Sequence, residues 1–99
     1  MRFGLSEEDW FLLTNLLIDP LKSAGAEVWI FGSRARGDHF EFSDVDVAYA
    51  SSHVLPPGMI SCIRENLEES RLPYKVDLVQ VTDIVDSYRA GILRDRIAL

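Results

Sequence analysis

Two groups of residues near the middle of the chain have the types and spacing needed for metal-assisted chemistry on a phosphate. Gly32 and Ser33 are followed, after ten residues, by Asp44 and Asp46. On a β-strand these two aspartates share one face, with their Cβ atoms roughly 6–7 Å apart. Carboxylates that close repel each other, and Mg²⁺ relieves such repulsion when it is held by one or two carboxylates and by substrate phosphates. The aspartate pair therefore predicts a metal site.

The Gly-Ser pair has the features of a phosphate site. Glycine lets the backbone come close to a ligand, and the amide and hydroxyl of Ser33, at the start of a predicted helix, suit a phosphate. Arg34 or Arg36 would add charge-assisted hydrogen bonds to the same phosphates. A phosphate site beside two metal-binding carboxylates is the arrangement used for metal-assisted phosphoryl or nucleotidyl transfer.

The elements predicted around these residues are typical of a small α/β domain. Capping and turn residues predict helix starts at Ser6, at Pro57 or Gly58, and at Thr82 or Asp83. Asp19-Pro20 is expected to cap a renewed turn of the first helix, and Gly25 to end it. Short β-branched or alternating segments predict strands over residues 27–31, 43–50 and 74–81. We expect one domain over residues 1–99, of the α/β (α+β) class, with a small mixed sheet flanked by helices.

The composition restricts the possible partners. The chain has 99 residues, 47% of them hydrophobic, which suits one globular domain. Its formal net charge of −6 argues against a protein that holds duplex nucleic acid by its phosphates, although a metal can still recruit a nucleotide. Cys62 is the only cysteine, so no internal disulfide can form. Without a recognisable signal peptide or membrane-length apolar run, we expect a cytoplasmic protein with no membrane partner.

Several apolar residues are expected either in the core or on a contact surface. Cys62, flanked by apolar residues of a predicted helix, is expected in the core, as are Trp10, Phe11 and Trp29. Other apolar residues lie at predicted edges of the fold and favour a contact surface in a hetero-oligomer. They are Val54, Leu55, Ile92, Leu93, Ile97 and Leu99.

The segments GSRARG and SDVDV also resemble a known signature. Residues 32–46 fit the pattern G-S-x10-D-x-D of the DNA polymerase β-like nucleotidyltransferase superfamily. The short chain is similar to the minimal nucleotidyltransferase (MNT) branch, whose members occur as antitoxins paired with helical HEPN toxins. The likeness is clearest over residues 27–47 and extends to Asp77, at the place of the family's third carboxylate. The spacer DHFEF departs from the pattern, with two aromatic residues where proline and small polar residues are usual.

This resemblance implies a polymerase β-like fold and the transfer of AMP from ATP to a protein hydroxyl, with release of pyrophosphate. The catalytic and metal-binding residues, for two Mg²⁺ ions, would be Asp44, Asp46 and Asp77. Asp77 would also help to deprotonate the acceptor hydroxyl. The nucleotide-binding residues would be Gly32, Ser33 and Arg36. The implied partner is a HEPN-type toxin encoded nearby, which this chain would modify and neutralise as its antitoxin.

Two other functions fit the same residues. The chain could be a catalytically inactive antitoxin that acts by binding alone, or a nucleotidyltransferase for a small molecule such as an aminoglycoside. Protection from the toxin by a variant with alanine at Asp44 and Asp46 would favour the first. Antibiotic resistance conferred by this chain alone would favour the second.

Overall fold

The first helix starts where the capping signal predicts. The computed structural model describes residues 2–83 and 86–99. Helix α1 (Glu7–Leu13) follows Ser6, whose hydroxyl accepts a hydrogen bond from the Asp9 backbone N–H at 3.1 Å. The acidic residues of the first turn also lie at the positive end of the helix dipole. The predicted start is therefore confirmed.

A π-helical turn (Thr14–Ile18) joins α1 to helix α2 (Asp19–Ser23) without breaking the helical segment. The Asp19 N–H bonds to the carbonyl of Thr14, five residues earlier. Pro20 has no N–H, so the wider turn lies where the helix would lose a donor. The prediction that Asp19 caps a renewed turn was wrong, because Asp19 itself is helical. The predicted stop at Gly25 is confirmed by its left-handed φ of +88°.

Within the described residues, four strands form one mixed sheet in the order β3-β2-β1-β4. They are β1 (Glu27–Phe31), β2 (Val45–Ala50), β3 (Val76–Gln80) and β4 (Ile97–Ala98). Strand β1 is antiparallel to β2 and to β4, whereas β2 and β3 are parallel. The predicted class is confirmed. Strand β4 was not predicted, because two residues are too few to show an alternation.

Three further helices connect the strands. Helix α3 (Gly32–Arg36) follows β1 directly, α4 (Met59–Glu69) is the crossover between the parallel strands, and α5 (Asp86–Asp95) precedes β4. The predicted start of α4 at Gly58 is confirmed. Thr82 and Asp83 lie in a 3₁₀ turn (Val81–Asp83), and residues 84 and 85 lie outside the described residues, so the helix start at Thr82 or Asp83 stays a prediction. In the described part of the chain, no helix is both long and apolar enough to cross a bilayer.

The core uses one face of the sheet and leaves the other face for chemistry. Alternate residues of β1 and β2 pack with the inward residues of the first helical segment and of α4. Buried members include Leu13, Leu17, Leu21, Val28, Ile30, Val45, Val47, Ile63 and Leu67. Asp46 and Asp77 occupy positions of the opposite face and are only partly buried. At the start of β2 the alternation thus directs Val45 and Val47 to the core and Asp46 to the opposite face, although Ala48 further along that face is also buried.

Some apolar residues lie elsewhere than predicted. Cys62 is exposed, because Ile63 and Leu67 take the inward face of α4. Phe11 is 65% exposed on α1, while Trp10 packs against the core. Of the residues expected at the edges, Val54, Leu93 and Ile97 are exposed, whereas Leu55 and Leu99 pack partly against the core.

Candidate active site

The pairing of β2 with β3 brings two of the predicted carboxylates together. Asp46 and Asp77 are register partners in this parallel pair, so they lie side by side on the face of the sheet opposite Val45 and Val47. Asp44 lies just before β2 and is exposed to solvent. The sequence placed Asp77 on a strand face but could not show which residue lay opposite. The register shows that Asp77 is the neighbour of Asp46.

Gly32 lies directly against the carboxylate of Asp46. Phe31, the last residue of β1, pairs with Asp46, and Gly32 follows it with a left-handed φ of +76°. A Cβ atom at this position would lie 2.5 Å from Oδ2 of Asp46. Glycine is therefore required both by the backbone conformation and by the close approach. Ser33 comes next, in the first turn of α3. The chain thus joins the predicted phosphate site to the predicted metal site.

The charges around Asp46 oppose its ionisation. Burial, then the negative charges of Asp77 and Asp44, raise the pKa of Asp46 from 3.8 to about 6. Arg36 and Lys75 act in the opposite direction but do not cancel this rise. Lys75 Nζ lies 3.4 Å from Oδ1 of Asp77, at the exposed side of the cluster. A cation beside Asp46 would relieve this unfavourable negative charge.

The carboxylates fit a metal that takes part of its coordination from a substrate. Over residues 2–83 and 86–99, no three histidine, cysteine or acidic side chains are gathered closely enough to hold an ion by themselves. Mg²⁺ seldom uses such a complete cage, because it keeps water and binds one or two carboxylates with substrate phosphates. The neighbouring Asp46 and Asp77 supply such a partial set. Metal binding at Asp44, Asp46 and Asp77 stays a prediction.

Arg36 and Gly32 both line one cavity. Arg36 is exposed, and it forms ion pairs with Asp38 (Nε to Oδ2, 3.1 Å) and with Asp95 of α5 (Nη1 to Oδ2, 3.0 Å). Hydrogen bonds from Arg94 and then from Arg36 hold the pKa of Asp95 below its ordinary value. The cavity measures about 660 Å³ and lies between α3, β3 and α5. Its position beside Gly32 suits a ligand that carries phosphates.

Arg34 has a structural role that the sequence did not indicate. Its side chain is 2% exposed and lies over the Tyr74 ring, at 4.4 Å from the ring centre. It donates hydrogen bonds to the carbonyls of Ser43 (Nε, 3.1 Å; Nη2, 3.0 Å), Glu41 (Nη2, 3.3 Å) and Phe3 (Nη1, 2.9 Å). Arg34 is therefore not available to a phosphate, which leaves Arg36 of the two predicted candidates. Instead it holds the turn that leads to Asp44.

With this geometry in place, the family can be assigned. Residues 22–99 match the family described as "Polymerase beta, Nucleotidyltransferase". The chain belongs to this nucleotidyltransferase family. It is also 36% identical over 62 residues to the "Probable protein adenylyltransferase MntA" of Haemophilus influenzae, covering 63% of this chain and 54% of that protein. This chain therefore spans about half the length of that relative.

Solved structures share the fold. One chain comes from a crystal structure of a toxin–antitoxin with AMP-PNP, with a TM-score of 0.64 and 22% identity over 85% of this chain and 69% of that chain. Another comes from the tri-AMPylated Shewanella oneidensis HEPN toxin in complex with MNT antitoxin, with a TM-score of 0.61 and 18% identity over 95% of this chain and 71% of that chain. The predicted polymerase β-like fold is confirmed by these matches.

Proposed function

We propose that this nucleotidyltransferase moves AMP from ATP to a hydroxyl group of a protein, and that the protein is a HEPN-type toxin encoded nearby. The observation that carries the proposal is the register of Asp46 against Asp77, with Gly32 touching the Asp46 carboxylate. This arrangement supports the proposal because two neighbouring carboxylates lie next to the Gly32–Ser33 turn, which would hold the phosphates. Both features are needed to activate a nucleoside triphosphate.

Three residues near the end of β1 would bind the phosphates of ATP. Gly32 and the amide and hydroxyl of Ser33 would hold the terminal phosphates. Arg36 would exchange its ion pairs with Asp38 and Asp95 for charge-assisted bonds to the same phosphates. The nucleoside would extend into the adjoining cavity of about 660 Å³, which falls in the size range of small-molecule sites.

The carboxylates act on the reacting groups. Asp44, Asp46 and Asp77 would hold two Mg²⁺ ions; when bound, Mg²⁺ would neutralise the triphosphate and polarise its α-phosphate. Asp77 would accept the proton of the acceptor hydroxyl. The acceptor oxygen then forms a bond to the α-phosphorus, the bond from that phosphorus to the bridging oxygen breaks, and pyrophosphate leaves. The product is an AMP ester on the acceptor protein.

The named relatives support this choice of substrate and partner. One is called a probable protein adenylyltransferase, and two fold neighbours come from toxin–antitoxin complexes, one with AMP-PNP and one with an AMPylated HEPN toxin. A pair of this kind would work in the cytoplasm, where ATP is available. The modified toxin would be the neutralised form.

Intact-mass spectrometry of the partner tests the proposal. The chain is co-expressed with the HEPN protein encoded beside its gene, and the expected result is a mass gain of one or more AMP units. A variant with asparagine at Asp44 and Asp46, which keeps side-chain size, is the matched control and should give an unmodified partner. An unmodified partner with the wild-type chain, ATP and Mg²⁺ would contradict the proposal. Protection from the toxin without any mass gain would instead favour neutralisation by binding.

A further inference from the structure

A turn beside the site exposes two phenyl rings. Phe40 is 83% exposed and Phe42 is 67% exposed, and both lie in the segment between α3 and Asp44. Of these two rings, only that of Phe42 contacts another ring of the described residues. Its partner is Tyr74, with 6.4 Å between the ring centres. Neither ring belongs to the core, and Phe42 touches it only through Tyr74. Large exposed aromatic groups next to a site are typical of a contact surface.

The turn that carries these rings is fixed by hydrogen bonds. The Phe40 N–H donates to the Ser43 hydroxyl at 2.8 Å, and the Ser43 N–H donates to the Phe40 carbonyl at 3.2 Å. The buried Arg34 guanidinium donates hydrogen bonds to the carbonyls of Glu41 and Ser43. The backbone between the two phenylalanines is thus held in place before any partner binds. A surface that is already ordered loses less conformational entropy on binding.

We propose that this turn, Phe40 to Ser43, is the docking surface for the acceptor protein; the proposal rests on the function proposed above. The acceptor surface that fits it has an apolar centre, to cover the two rings, and a basic rim. The rim follows from charge, because residues 37–44 contain Asp38, Glu41 and Asp44 and no lysine or arginine. Asp38 is already ion-paired with Arg36 at 3.1 Å and Asp44 is proposed to bind the metal, so lysine or arginine side chains on the acceptor would chiefly meet Glu41.

A second copy of this chain fits the turn less well. Two copies of the turn placed together would bring Glu41 and Asp44 of one copy against the same residues of the other, in a chain whose net charge is already −6. Like charges facing each other across an interface disfavour association. Location also favours the acceptor, because Phe42 is two residues from Asp44. A protein held by this turn is therefore held beside the predicted reaction centre, and docking would position its hydroxyl.

The test compares variants in which exposed phenyl groups are removed at different places. One variant carries Phe40→Ala with Phe42→Ala, and the matched control carries Phe11→Ala, which removes from α1 a phenyl group about as exposed as that of Phe42. The probe is the HEPN protein encoded beside the gene, with its dissociation constant measured without ATP. The double variant is expected to bind about tenfold or more weakly, and the control about as wild type. In AMP transfer, the double variant should raise KM for the acceptor and leave KM for ATP unchanged.

Each outcome separates this proposal from the proposed function. Unchanged acceptor affinity and KM in the double variant, with AMP transfer intact, would overturn the docking surface and leave the transferase standing. If the wild-type chain transfers no AMP to its partner but the double variant binds that partner more weakly, docking is supported and the transferase is refuted. Equal weakening by Phe11→Ala would overturn the assignment to this turn. Light scattering that shows a dimer of the chain alone, lost in the double variant, would make a second copy the occupant and overturn the choice of acceptor.

Discussion

Replacing Asp46 with asparagine tests whether the site is maintained at the expense of folding free energy. In the folded chain the pKa of Asp46 is about 6 instead of 3.8, chiefly because of burial and the charges of Asp77 and Asp44. This rise of about 2 pH units corresponds to about 3 kcal/mol, and contact with water reduces the effect to roughly 1–2 kcal/mol. Without metal at neutral pH, the asparagine variant should be more stable by that amount.

The pH dependence identifies the cause. Below the unfolded pKa of 3.8, Asp46 is protonated in both states and costs the folded state nothing. As pH rises toward the folded pKa of about 6, the unfolded chain loses this proton first, and the folded state becomes relatively less stable. The difference in unfolding free energy between the variant and wild type should therefore grow between about pH 4 and about pH 6, and stay constant above about pH 7.

Urea unfolding in EDTA at several pH values measures this difference directly. In thermal unfolding the same effect corresponds to roughly 4–8 °C per kcal/mol for a domain of this size. The matched control is Glu65→Gln, which makes the same carboxylate-to-amide change at an exposed position of α4. A stability difference for Asp46→Asn that is the same at about pH 4 and about pH 7.5 would refute the electrostatic explanation.

Three other perturbations have defined outcomes. Gly32→Ala should destabilise the fold by roughly 1–2 kcal/mol more than Gly37→Ala in thermal unfolding, because both positions have positive φ but only the first Cβ meets Asp46. Arg34→Met should cost about 3 kcal/mol or more in urea unfolding, since it removes four hydrogen bonds from a buried guanidinium to partly buried carbonyls, whereas Arg71→Ala at an exposed ion pair should cost less than about 1 kcal/mol. Mg²⁺ with ATP at about 100 times the dissociation constant should stabilise wild type by about 2.7 kcal/mol, and Asp46→Ala should lose this gain.

Different results would contradict the structural reasons given for each. Equal losses for the two glycine variants would mean that the close contact with the carboxylate is unimportant. A small loss for Arg34→Met would mean that the turn does not depend on the guanidinium. Ligand stabilisation that persists without Asp46 would place the Mg²⁺-ATP complex elsewhere on the chain.

The local signals in the sequence predicted most of the fold because they depend on neighbouring residues. A hydroxyl before a run of acids located the start of α1, Gly25 located the end of the helical segment, and alternation located β2 and β3. Those signals failed at the π-helical turn. A proline inside a helix can be accommodated either by a new cap or by a wider turn, and the sequence does not distinguish them.

The site depended on relations between distant residues, which the sequence shows only in part. The spacing from Gly32 to Asp46 predicted that these residues belong to one site, and the structure places them in contact. The register that sets Asp77 beside Asp46 depends on the geometry of the crossover through α4, which no local pattern encodes. Arg34 shows the same limit. An arginine on a short helix has the same sequence pattern whether it binds a phosphate or a turn.

The register of Asp46 against Asp77 also has a consequence for the order of folding events. The two strands are separated in the sequence by α4, so the carboxylates begin to repel each other only when the parallel pair forms. Non-local pairing of this kind is slow. If β2 and β3 are paired at the folding barrier, neutralising Asp46 will speed folding; if they pair after it, the same change will slow unfolding. The folding and unfolding rates of an Asp46 variant would therefore show whether β2 and β3 pair before or after the folding barrier.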